Sequence, residues 1–87
     1  MLGPDLTARI RVLQAEVQQV SQQAQRLGSG ATIHALVSRI ATARGALSLA
    51  EERQAWDTAE HLEVLLALAD ESLQAAHVLI AQTQHGA

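Results

Sequence analysis

The sequence contains no cysteine, no lysine, no phenylalanine and no tyrosine. Tryptophan occurs once, at Trp56, and proline once, at Pro4. Without cysteine there is no disulfide framework, no thiol nucleophile and no Cys-based zinc or iron–sulfur site. With Trp56 as the one aromatic residue, a core has to be assembled from Leu, Ile, Val and Ala. Such a core favours close helix packing over a β-sandwich. Long apolar runs are also missing: the longest, Val64 to Ala69, has six residues, whereas a bilayer takes roughly 20. The N-terminus shows no charged segment followed by an apolar stretch, so no signal peptide is expected. These absences predict a soluble protein of a reducing compartment, by default the cytoplasm, without a membrane partner.

What is present points to helices. The chain has 87 residues, of which 48% are apolar, and a net charge of −3. Apolar content this high with so little net charge argues against disorder, and the length fits a single domain over residues 1–87.

Apolar residues Leu6, Ile10, Leu13, Val17, Val20, Ala24 and Leu27 step by alternating fours and threes, the spacing of a heptad seam. Pro4 suits a first helical turn, where its missing N–H would have had no partner. Asp5 sits at the positive end of the helix dipole, and Gly28 can close the far end. Gly28-Ser29-Gly30 reads as a short turn of the length that joins antiparallel neighbours.

The pattern recurs twice. Ile33, Leu36, Ile40, Ala43, Leu47 and Ala50 form a second seam, which Val37 widens. Ala59, Leu62, Leu66, Ala69, Leu73, Ala76 and Ile80 form a third. Leu65, Leu68, Ala75 and Leu79 add a second stripe beside it, so this helix is expected to contact two neighbours. Asp57 followed by Glu60 reads as a capping box that starts the third helix near Thr58. A rival start at Ser48, boxed with Glu51, would give a final helix of unusual length. The reading is an all-α antiparallel three-helix bundle with helices at about 5–27, 31–52 and 58–83. Small domains bury little surface alone, so the heptads and the double-width third helix also predict a homodimer. Its seam candidates are Leu6, Ile10, Leu13, Val17, Val20, Leu65, Leu68 and Leu79.

Charge is unevenly divided. Residues 1–50 carry +3 and residues 51–87 carry −6. Arg44 and Glu63, equally far from the second turn, are expected to face each other. Five arginines over the first fifty residues, without interleaved aromatics, make a weak nucleic-acid footprint, and the overall acidity opposes it.

Motifs of catalysis are not apparent. None of His34, His61, His77 and His85 follows an acidic residue by three, as a di-metal bundle would require. No histidine pair has the i, i+4 spacing of a helical zinc site. The serines show no elbow motif. In size and helix count the chain is similar to the small helical chorismate mutases, which bind a dicarboxylate with several arginines and a lysine. Arg9, Arg11, Arg26, Arg39 and Arg44 are available here but lysine is not, and no motif of that family carries over. No cofactor is expected. His61, one turn after Asp57, can pair with it.

The function expected is a non-enzymatic helical interaction module: an adaptor, a small chaperone or a regulatory or inhibitory subunit. Partner-binding candidates are Trp56, Glu60, Glu63, Asp70 and Glu71, since Trp is common among interface anchors and the acidic third helix suits a basic partner. Trp56 also has a structural alternative, as a staple over the first turn of the third helix. The competing readings are a small dimeric enzyme whose arginines bind an anionic substrate, and a weak nucleic-acid-binding regulator.

Overall fold

A computed structural model describes residues 4–27 and 31–85, with side chains over 6–27 and 33–83. Three helices pack against one another: α1 (Pro4–Arg26), α2 (Ala31–Arg53) and α3 (Ala59–His85). There is no strand among the described residues. Each helix end falls within two residues of the sequence expectation. The expected turn Gly28-Ser29-Gly30 lies outside the described residues. The rod they form measures 48 × 17 × 16 Å between Cα extremes.

Each heptad seam becomes a buried face. α1 contributes Leu6, Ile10, Val17, Val20 and Ala24, with Leu13 and Leu27 packed at the margin. α2 contributes Leu36, Ile40, Ala43, Ala46, Leu47 and Ala50. α3 contributes Leu62, Leu66, Ala69, Leu73, Ala76 and Ile80. Val37 and Ala59, assigned to the core stripes, lie elsewhere, as does Leu68 of the second stripe on α3. Val37 is exposed, because it sits about 100° round α2 from Leu36. Ala59 is exposed as the first residue of α3, beyond the reach of the core.

α2 and α3 make the closest pair. Their buried small residues, Ala43, Ala46 and Ala50 on one and Ala69, Ser72 and Ala76 on the other, let the two backbones approach. α1 meets them with larger side chains and leaves grooves along both of its edges. Polar contacts tie these edges. Thr7, Gln14 and Ser21 of α1 meet Gln54, Glu51 and Arg44. Arg9 and Glu16 meet Glu63 and His77 of α3.

These pairs correct one expectation. Arg44 and Glu63 do not face each other; Arg44 donates to Ser21 Oγ at 3.0 Å, and Glu63 accepts from Arg9. In a three-helix section, matching flank positions on α2 and α3 both lean toward α1, on opposite sides of it.

The α2–α3 turn corrects another. α2 runs unbroken through Ser48 and Gly45 to Arg53, so the rival start is not used. The N-cap of α3 is Thr58 rather than Asp57. Thr58 Oγ1 accepts the backbone N–H of His61 at 3.3 Å, and its carbonyl accepts the first helical bond, from Leu62 at 3.1 Å. Glu60 is therefore one residue early for a capping box. Asp57 serves the turn differently: its carboxylate accepts the N–H of Thr58 at 2.8 Å and meets His61 Nδ1 at 2.7 Å.

Candidate interaction surface

With 100° between successive residues, α3 has more apolar positions than one buried face can use. The inner seam holds Leu62, Leu66, Leu73 and their neighbours. Glu63, Asp70 and His77 lie seven apart on the flank toward α1, as the contacts with Arg9 and Glu16 show. Leu65, Ser72 and Leu79 lie on the other flank, where Ser72 is buried and the two leucines pack partly against the core. The outer surface still carries Val64, Leu68 and Val78, exposed by 67%, 43% and 55%. Within Ala59–Thr83 the most apolar 18-residue stretch has a mean hydropathy of 1.5, yet only a third of that stretch is buried. By length and composition alone α3 could cross a membrane. Counting uninterrupted runs concealed this, because Glu63, Asp70 and Glu71 break them.

The proposed partner-binding residues lie on α3 and in the turn before it. Trp56, Glu60, Glu63, Asp70 and Glu71 are all exposed. Trp56 is 69% exposed, so it does not staple the first turn of α3. Instead the Arg53 guanidinium lies 5.6 Å from its ring centre, within cation–π range. Arg53 also reaches Asp57 at 3.7 Å. Hydrogen bonding from His61 holds the Asp57 carboxyl below its usual value; the Thr58 N–H and the charges of His61 and Arg53 act in the same direction.

The oligomer-seam candidates divide. Leu6, Ile10, Val17 and Val20 are buried by the chain's own α2 and α3. Leu13, Leu65 and Leu79 are partly buried, and Leu68 is open. Sequence reasoning did not single out Val12 on α1 or Leu49 on α2, exposed by 66% and 41%. The signal was available: both are large aliphatic residues off the heptad seams.

Among the described residues, grooves follow α1 on both of its sides. The one against α2, about 640 Å³, is lined by Gln14, Gln18, Arg44, Ser48, Glu51 and Glu52 above Val17 and Leu47. A smaller one, about 350 Å³, lies toward the other end of the same pair, over Ile33, Val37 and Ile40. The groove against α3, about 510 Å³, is the apolar one, lined by Ala8, Val12, Leu13, Leu66 and Ala67 between Arg9 and Asp70. Each groove carries one arginine, Arg44 in the first two and Arg9 in the third. Asp57 lines none of them. Among the described residues no group of three His, Asp or Glu side chains is placed to hold a metal ion.

No family model, curated protein or solved structure matches this chain. Its surface chemistry is therefore read from its own residues.

Proposed function

We propose that the chain is a non-enzymatic protein–protein interaction module, an adaptor, small chaperone or regulatory subunit of the cytoplasm. In this reading it is an antiparallel three-helix bundle that binds through the outer surface of α3. The carrying observation is the surplus on α3: Val64, Leu68 and Val78 stay exposed although the inner seam is already filled. Leaving several aliphatic side chains on one exposed helix face is what a binding surface requires. The carboxylates interleaved with them, Glu60, Glu63, Asp70 and Glu71, support a protein partner over a lipid one. The order of contacts supports the antiparallel arrangement. Along α1, residues 7, 14 and 21 meet 54, 51 and 44 in falling order, while 9 and 16 meet 63 and 77 in rising order.

Catalysis draws less support, because the arginines of the grooves do not converge. Nucleic-acid binding draws less support because the most apolar surface is also the acidic one.

A second reading, self-association, rests on a separate observation. Leu49 and Leu68 are both exposed by about two-fifths, and Leu65 and Leu79 are only partly covered. A second copy over this margin would form the expected dimer. Sedimentation equilibrium and thermal melts at several concentrations test it: a dimer mass with a melting temperature rising with concentration supports it, and a strict monomer contradicts it.

The module itself is tested by affinity capture from host lysate. Wild type is compared with the variant Val64→Ser, Leu68→Ser, Val78→Ser. A defined protein recovered by wild type and lost by the variant is the expected result. Identical recoveries would contradict the reading.

A further inference from the structure

The α1–α3 groove differs from its neighbours in chemistry and in spacing. Its floor is Leu13 and Leu66, and its walls are Ala8 and Val12 on one side and Ala67 on the other. The wall residues are not isolated. Ala8 and Val12 are four apart on α1, and Ala67 and Asp70 are three apart on α3, one turn on each wall. The alanines, both exposed, keep the walls low, so that another backbone could come close. A third helix edge laid here would have aliphatic contacts on both sides, as in a four-helix bundle.

Charge selects the occupant. Of the α3 carboxylates, Asp70 lines the groove, and Glu60, Glu63 and Glu71 stand exposed elsewhere on the same helix, which carries no Arg or Lys. On α1 the facing charges are Arg9, engaged by Glu63, and Glu16, which meets His77 at 3.2 Å. Within the lining Arg9 offsets Asp70, and the excess negative charge comes from the neighbouring α3 carboxylates. A second copy of the chain is poorly suited to it: the exposed faces that carry Arg11, Arg26 and Arg39 are otherwise mostly Gln, Ala, Ser and Thr.

We propose that the α1–α3 groove is the docking site for a basic amphipathic helix of another protein, which completes a four-helix bundle. Its aliphatic stripe would lie between Val12 and Ala67, and its flanking Lys or Arg would meet Asp70 and Glu71. This rests on the interaction-module reading, moves the main contact from Val64, Leu68 and Val78 to the α1–α3 groove, and commits to one class of partner. It also gives inner and outer surfaces separate tasks. The inner faces of all three helices hold the fold, and the edge of α1 with the outer edge of α3 receives the partner.

The test uses the full chain and two designed helical peptides of equal length. They share one Leu stripe and differ only in carrying Lys or Glu at the flanking positions. By calorimetry, the Lys peptide should bind about tenfold or more tighter than the Glu peptide, and lose affinity as salt rises. Val12→Glu with Ala67→Glu should abolish binding while leaving the helical circular dichroism and melting curve in place. Asp70→Arg with Glu71→Arg should invert the preference between the peptides, a result that loss of fold cannot imitate. Failure of both peptides to bind would overturn the proposal. So would binding that survives Val12→Glu and Ala67→Glu; if Leu68→Ser then removes it, the module reading stands and the groove assignment falls. Self-association abolished by the groove variant would make a second copy the occupant, and would also overturn the proposal.

Discussion

At the scale of single residues, two positions carry separable consequences. Gly45 lies in mid-helix on the exposed side of α2, and a Cβ built there meets nothing within 4 Å. Its backbone is already helical, so alanine gains helix propensity without a steric cost. Gly45→Ala should stabilise the protein by about 0.5–1 kcal/mol, read as a higher urea midpoint at unchanged slope. Asp57 responds to pH. Its folded carboxyl titrates below the ordinary 3.8, mainly through the His61 hydrogen bond. A depressed carboxyl stabilises the fold above its unfolded value and loses that contribution as pH falls through the folded one. Wild type should therefore exceed Asp57→Asn in stability at neutral pH. The gap should close below about pH 3.8, as measured by urea melts across the acid limb.

At the scale of elements, the α2–α3 turn is the most informative segment. Thr58 caps α3 through its hydroxyl, and Thr58→Ala should cost about 0.5–2 kcal/mol. Asn at the same site should retain most of the stability, which separates capping from packing. The helices themselves were legible in the heptads, because burial of a continuous stripe follows directly from 3.6-residue periodicity. The cap was legible only to within one residue. Asp57 and Thr58 are both good caps, and the choice between them depends on where the turn releases the chain, a matter settled by the carbonyl of Arg53 accepting from Trp56 and Asp57. The Arg44–Glu63 pairing failed for a different reason. Counting equal distances from a turn treats α2 and α3 as an isolated hairpin, whereas α1 captures both side chains. Trp56 and the acidic residues were singled out by residue type and are exposed, but the groove beside Val12 was not legible, since it depends on how α1 sits against α3.

At the scale of the whole molecule, inner and outer aliphatic residues should differ sharply in cost. Leu66 is fully buried, and Leu66→Ala should lose about 2–5 kcal/mol, a large share of the ~5–15 kcal/mol typical of a domain. Val64, two residues away and mostly exposed, should tolerate Ser within about 0.5 kcal/mol. A comparable loss at both positions in urea melts would mean that the outer surface belongs to the fold. The division of charge acquires a physical meaning on the same scale. The acidic carboxylates of α3 surround exposed aliphatic side chains, so attraction and burial are available at one place to a basic partner.

The central claim is that α3 folds the bundle with one face and binds with another. Amide hydrogen exchange of the full chain, with and without the Lys-flanked helical peptide, tests it most directly. The account predicts slower exchange over residues 60–78 of α3 and 8–15 of α1, with α2 unchanged. Added protection confined to α2, or no added protection with the peptide at saturation, would contradict it.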